Sequence, residues 1–131
     1  MTPRTLPLLA AVASTLLATT AWAGYRYAVP VQINVLGRTA KGSLGDARAS
    51  ADTRQVIGCR VLSGAGGGST VSCYATDAAG TSVQCSSADA SLIATGRALT
   101  GDSLLTFTWD PAGTCTSLQI EVYSSNTPLQ P

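Results

Sequence analysis

Apolar and polar residues alternate along much of the chain, with the two-residue period of strands that have one buried face. In the first such segment, Val29, Val31, Ile33 and Val35 alternate with polar residues or proline. The same period recurs in residues 57–61, 71–76, 81–86, 105–109 and 118–122. Short strands at this spacing predict an all-β chain, an antiparallel β-sandwich of about six to seven strands.

Turn sequences lie between several of these segments. Asp77-Ala-Ala-Gly80 begins with aspartate and ends with glycine, which predicts a hairpin between residues 71–76 and 81–86. Asp110-Pro-Ala-Gly113 predicts another tight turn, because proline presets φ at its second position. The glycine-rich stretch 63–68 predicts a flexible connection between the second and third strands.

One segment has helical rather than strand periodicity. Ser86 and Asp89 fit a capping pattern, and apolar residues then recur at roughly helical spacing. We therefore expect a short helix over residues 88–98, weakened by Gly96. Residues 46–54 are compatible with a single helical turn or an open loop.

The first 23 residues have the organisation of a secretory signal peptide. Arg4 supplies a short positive region, residues 6–20 are mostly apolar, and Ala21-Trp22-Ala23 is a typical cleavage site before Gly24. The apolar run is shorter than the ~20 residues that span a bilayer. We expect cleavage at Ala23-Gly24 and a secreted or periplasmic protein that does not insert into the membrane.

The remaining chain predicts one β-sandwich domain over residues 24–123 and a flexible tail over 124–131. Removal of residues 1–23 removes Arg4, which leaves seven Lys and Arg residues against seven Asp and Glu residues. The absence of net charge or a basic run argues against nucleic acid or an anionic membrane as a partner, since both are recognised by excess positive charge.

Four cysteines, Cys59, Cys73, Cys85 and Cys115, lie beyond the predicted signal peptide. An even number of cysteines in an exported chain predicts two disulfides. A metal site with four thiolate ligands is the alternative, but it requires closely spaced cysteine pairs, which this chain lacks. We predict no metal and no cofactor.

Hairpin geometry bears on the pairing, because Cys73 is expected to face both Cys85 and Cys59. We favour Cys73–Cys85 with Cys59–Cys115, since the short turn at Asp77 fixes the register of the first pair. The alternative, Cys59–Cys73 with Cys85–Cys115, is only slightly less favoured. Either set of bridges should contribute about 2 to 4 kcal/mol per bridge.

Catalytic residue types are scarce, so we predict that the protein is not an enzyme and assign no catalytic residue. The chain has no histidine, the commonest general base, and its cysteines are expected to be oxidised. A Ser-Lys dyad formed by Ser43 and Lys41 is conceivable, but a solvated lysine at a strand end is the favoured interpretation.

Exposed aromatic residues are the candidates for ligand binding. Secreted β-sandwiches often bind sugars by stacking them on such rings, and Tyr25, Tyr27, Tyr74, Trp109 and Tyr123 are available. Trp109 shares a strand face with apolar neighbours, which favours a place in or at the rim of the core. The two N-terminal tyrosines flank a predicted edge strand, which could pair with another subunit.

Three stretches together resemble a group of small, exported, disulfide-containing bacterial proteins of unassigned function. They are Lys41-Gly-Ser-Leu-Gly-Asp46 with its continuation to Cys59, residues 72–80, and residues 105–116. The resemblance covers about residues 31–122 and implies no catalytic or binding residues. It departs at the tail, where Ser124-Ser125-Asn126 stands in place of an expected aromatic pair.

The leading functional hypothesis is a non-enzymatic exported module for interaction or surface structure, with an unknown protein or glycan partner at the cell exterior. A carbohydrate-binding module that uses exposed aromatic residues is the second hypothesis. A small secreted hydrolase is the third.

Overall fold

The computed structural model describes residues 25–126. The predicted signal peptide, its cleavage site and the tail beyond residue 126 lie outside these residues. Seven strands form two antiparallel sheets, which confirms the predicted all-β class. The strands are β1 (Gln32–Asn34), β2 (Thr39–Ser43), β3 (Val56–Ser63), β4 (Ser69–Thr76), β5 (Ser82–Ser87), β6 (Leu104–Trp109) and β7 (Cys115–Glu121).

One sheet has the strand order β1-β2-β6-β7 and the other the order β3-β4-β5. Their inner faces share one core, to which the first sheet contributes Leu105 and Phe107 and the second contributes Val71 and Ala75. All four side chains are fully buried. Within residues 25–126, no helix has the length and apolar composition that crossing a membrane requires.

Two short α-helices, α1 (Leu44–Arg48) and α2 (Ala90–Arg97), connect the strands. The helix predicted over 88–98 is therefore present, but its cap is Asp89, whose carboxylate accepts hydrogen bonds from the amides of Ser91 and Leu92. Ser86, the predicted capping residue, belongs to β5 instead. The structure resolves the 46–54 ambiguity in favour of a helical turn, followed by a loop.

Three of the four hairpins among residues 25–126, β3–β4, β4–β5 and β6–β7, share one loop geometry. In each, the residue just before the loop accepts a hydrogen bond from a glycine with positive φ and donates one to the residue after that glycine. These glycines are Gly67, Gly80 and Gly113. This is the three-residue loop that combines a type I turn with a glycine bulge. The two predicted tight turns are therefore present, and the stretch 63–68, predicted as a flexible connection, contains the same hydrogen-bonded turn.

The predicted N-terminal strand is mostly not part of the sheet. Only Gln32–Asn34 pairs with β2 as a strand; Val29 and Val31 are buried ahead of it, and the Val29 carbonyl accepts one backbone hydrogen bond from the Ser43 amide of β2 at 2.9 Å. Side chains replace the ladder: Asp46 accepts a hydrogen bond from the Val29 amide at 2.8 Å, and Gln55 accepts one from the Val31 amide at 2.7 Å.

The two disulfides are Cys59–Cys73 and Cys85–Cys115, so the pairing favoured from the sequence is wrong and the alternative is the one that forms. The reason lies in the hydrogen-bond pattern of the sheet. Cys73 faces both Cys59 and Cys85, but a residue in an antiparallel sheet forms a hydrogen-bonded pair with one neighbour and a narrower, non-hydrogen-bonded pair with the other.

The hairpin turns determine with which neighbour Cys73 forms the narrower, non-hydrogen-bonded pair. The Asp77 amide donates a hydrogen bond to the Thr81 carbonyl, and every second residue pair counted from this turn is also hydrogen-bonded. Cys73 and Cys85 are therefore a hydrogen-bonded pair, whose Cα atoms are farther apart than those of a non-hydrogen-bonded pair; it is called the wide pair below. The corresponding turn between β3 and β4 makes Cys59 and Cys73 a narrow pair. Their Cα atoms are 4.0 Å apart. Cys85 instead crosses to Cys115 of the other sheet, at a Cα separation of 5.0 Å.

Candidate functional site

The aromatic residues proposed from the sequence do not form one continuous row. Tyr25, Tyr27 and Tyr123 lie at the two ends of the described chain, where the Tyr27 amide donates a hydrogen bond to the Ser125 carbonyl at 3.3 Å. Their exposed fractions are 79%, 60% and 57%, respectively. These rings therefore contribute little to packing, and none of the three residues belongs to a strand, unlike Tyr74 of β4.

Trp109 is partly buried and packs against Phe107, with ring centroids 5.8 Å apart and an interplanar angle of 47°. Its ring also borders a shallow concavity beside Pro111 and Arg38. The tryptophan thus belongs to the rim of the core, as its strand neighbours suggested.

Tyr74 has a different setting, on the outer face of the three-stranded sheet. It lies between Gly58 of β3 and Gln84 of β5 in one cross-strand row. Because Gly58 has no side chain, the surface beside Tyr74 is depressed, with a volume of about 380 Å³. The outer-face residues that line this Gly58 depression are Val56, Gly58, Arg60, Ser72, Tyr74 and Gln84.

Two hydroxyl groups hold the Tyr74 ring along the strand. Thr76 Oγ1 donates a hydrogen bond to Tyr74 Oη at 2.7 Å, and Tyr74 Oη donates one to Ser82 Oγ at 3.3 Å. These hydrogen bonds, first from Ser82 and then from Thr76, lower the pKa of the Tyr74 phenol below its usual range. The side chain is nevertheless 41% exposed, so a fixed aromatic surface borders the depression.

Arg60 is the one charged side chain among the residues that line the Gly58 depression. The ion pairs within residues 25–126 are Arg26 with Asp46 and Arg48 with Asp102, and neither includes Arg60. Its guanidinium can therefore donate hydrogen bonds to an acidic or polar ligand without first leaving a carboxylate.

The structure separates the roles of Lys41 and Ser43. Ser43 is fully buried, and its Oγ accepts a hydrogen bond from the Asp46 amide as the cap of α1. Lys41 is exposed and lies opposite Gln32 and Thr106 in the four-stranded sheet. Ser43 thus has a structural use that accounts for its burial.

Cysteine sulfurs form the one close group of three or more potential metal-ligating atoms among residues 25–126. The group consists of Cys73, Cys85 and Cys115, and each of these sulfurs is bonded in a disulfide. A disulfide sulfur is not the thiolate that zinc binding requires.

Sequence reasoning identified Tyr74 but missed Gly58, Arg60 and Gln84. A glycine inside a strand was the available signal, because it marks a place where a side chain would be in the way or where another group approaches. Comparison of the chain with protein-family models, curated proteins and solved structures finds no match. The site is therefore interpreted from its own geometry.

Proposed function

We propose that the protein is a non-enzymatic, exported binding module that holds a saccharide in the Gly58 depression. The observation that carries the proposal is the Tyr74 ring, fixed by two hydroxyl groups beside a strand position that has no side chain. Saccharides combine apolar C–H faces with many hydroxyl groups. Such a ligand matches an aromatic face bordered by hydrogen-bonding side chains.

The dimensions of the depression favour a small ligand over a protein surface. Its volume of about 380 Å³ lies in the range of small-molecule sites. A stable protein interface buries roughly 800 Å² on each partner, which is larger than this depression can offer. One or two sugar units would occupy it, with the remainder of a longer glycan outside.

The polar groups around Tyr74 favour an acidic sugar. Arg60 offers a planar guanidinium suited to a carboxylate, and Gln84 and Ser72 offer further donors and acceptors for hydroxyl groups. Aspartate and glutamate are absent from the lining, so an acidic ligand meets no opposing charge there.

Export is supported by two independent features. The first 23 residues have the charge, apolar run and cleavage sequence of a signal peptide. All four cysteines beyond it are paired in disulfides, which persist in oxidising compartments. These features together support binding at the cell exterior or in the periplasm.

A glycan array tests the proposal, using protein purified from the periplasm or medium and titration calorimetry on the sugars it retains. We expect preferential binding of glycans that contain uronic or sialic acids. Gly58→Thr should abolish binding, since a Cβ at this position meets no atom within 4 Å and the new side chain fills the depression without disturbing the fold. Thr106→Val, on the other sheet, is the matched control.

The proposal would be abandoned if no glycan were retained, or if Gly58→Thr bound as tightly as the unmodified protein. Circular dichroism of each variant establishes that a loss of binding is not a loss of fold.

Self-assembly is a second candidate, favoured by the N-terminal segment. Its buried valines, Val29 and Val31, are held by Asp46 and Gln55 side chains instead of a continuous ladder. Such a segment could dock in a second copy. Light scattering measures the oligomeric state, and fluorescence energy transfer between two differently labelled populations of the protein tests whether copies associate. A monomeric protein that shows no energy transfer at high concentration would contradict assembly.

A further inference from the structure

The two disulfides lie next to each other in the core. Cys59, Cys73 and Cys85 occupy one cross-strand row, and Cys115 reaches that row from the opposite sheet. The sulfur atoms of Cys73, Cys85 and Cys115 all lie within 4.8 Å of one another. A sulfur of one disulfide is therefore adjacent to both sulfurs of the other.

Solvent reaches these sulfur-bearing residues unequally. Cys59 is partly buried, whereas Cys73, Cys85 and Cys115 have exposed fractions of 0%, 1% and 4%. Thiol–disulfide exchange begins where an attacking thiolate has access, so Cys59 is the point of entry.

We propose that the paired disulfides form a thiol-capture site, in which Cys59 takes up an external thiol and Cys73 transfers the exchange to Cys85–Cys115. In the first step, an external thiolate attacks Cys59 Sγ. A mixed disulfide forms at Cys59, the Cys59–Cys73 bond breaks, and Cys73 leaves as a thiolate.

In the second step, the Cys73 thiolate attacks Cys115 Sγ. A Cys73–Cys115 bond forms, the Cys85–Cys115 bond breaks, and Cys85 leaves as a thiolate that takes up the proton lost by the external thiol. One thiol is consumed and one is released, so no oxidant or reductant is required.

Cys115 is the expected target because Cys73 and Cys85 form the wide, hydrogen-bonded pair between β4 and β5, which poorly suits a cross-strand disulfide. The exchange also keeps the two sheets connected. Cys85–Cys115 joins β5 to β7, and Cys73–Cys115 would join β4 to β7.

The second step explains how a captured thiol could remain bound. A Cys73 thiolate beside the mixed disulfide would ordinarily attack Cys59 and expel the thiol again. Once Cys73 is bonded to Cys115, this return path is closed. The adduct at Cys59 then reverts only after the core bond is exchanged back.

The test uses the disulfide-bonded protein and glutathione as the probe thiol, without denaturant. Samples are quenched with acid at intervals, alkylated and mapped by mass spectrometry, while circular dichroism follows the fold. We expect glutathione on Cys59, a Cys73–Cys115 bond and an alkylated Cys85. A Cys73–Cys85 bond would refute Cys115 as the target, and an intact Cys85–Cys115 bond in every adduct would overturn the transfer.

The double variant Cys85→Ala/Cys115→Ala gives a second measurement, because it leaves Cys73 without a bond to attack. Its glutathione adduct should be lost at least roughly tenfold faster after dilution than that of the unmodified protein. Equal lifetimes would overturn the closure of the return path. If this variant does not fold, the mapping of the unmodified protein decides the proposal.

Discussion

Gly96 of α2 lies so close to Val71 of β4 that a Cβ atom at Gly96 would be 2.9 Å from Val71 Cγ2. Val61 Cγ2, at 3.2 Å, closes the same space from β3. The glycine weakens the helix by its intrinsic propensity but lets the helix approach the sheet. Helix propensity and packing therefore predict opposite effects of Gly96→Ala on stability.

Gly96→Ala should lower the free energy of unfolding by about 1 to 3 kcal/mol, because overpacking exceeds the ~1 kcal/mol that alanine gains in helix propensity. Urea unfolding followed by circular dichroism measures the change. Gly58→Ala is the matched control, since its Cβ meets no atom within 4 Å. A Gly96→Ala protein as stable as the unmodified one would contradict the close packing.

The correct disulfide pairing could have been predicted from the sequence. Each hairpin loop that flanks Cys73 has a glycine in its third position, and this loop geometry fixes which pairs are hydrogen-bonded. Counting back from Asp77 makes Cys73–Cys85 the wide pair and leaves Cys59 as the partner. The prediction of a Cys73–Cys85 bond was wrong because it considered only how close the residues are, and not whether their pair is hydrogen-bonded.

Other features could not be obtained from a hydrophobic pattern. Strand β2 contains Ala40, Lys41 and Gly42 without a large apolar residue, so its alternation is hidden, although Ala40 is fully buried. The Gly58 depression depends on the register that places Gly58 beside Tyr74 and Gln84. Register follows from turns and pairing across distant segments.

Asp52 links the loop after α1 to the N-terminal segment. Its carboxylate accepts hydrogen bonds from the Gln55 side chain and from the amides of Arg54 and Gln55, and Gln55 in turn holds the Val31 amide. These bonds, the Gln55 side chain first, lower the pKa of Asp52 from 3.8 to about 2. The folded state therefore favours the charged form.

The contribution of Asp52 to stability should be fully present above its unfolded pKa near 3.8 and lost as the pH falls towards 2. Asp52→Asn should remove this part of the acid sensitivity. Thermal unfolding at a series of pH values compares the two proteins. Parallel curves between pH 4 and 2 would contradict the assignment.

Tyr74 should ionise at a lower pH than an ordinary tyrosine, because the Ser82 and Thr76 hydroxyl groups can both donate hydrogen bonds to its phenolate once the phenol proton is lost, which lowers the pKa of Tyr74. Absorbance of the phenolate band, recorded against pH, measures this early component. Tyr74→Phe should delete it. If the early component persisted in that variant, the hydrogen-bonded setting of Tyr74 would be wrong.

Arg60→Gln tests the charge preference of the proposed saccharide site. Since hydrogen bonds to charged groups contribute roughly 1.5 to 3 kcal/mol, affinity for an acidic glycan should fall about tenfold or more. Binding of a neutral glycan of the same size should change little, and added salt should weaken the unmodified protein more than the variant. Lys41→Gln, which removes an exposed charge from the other sheet, is the matched control. Equal losses from both substitutions would indicate a general charge effect and contradict a direct contact of Arg60 with the ligand.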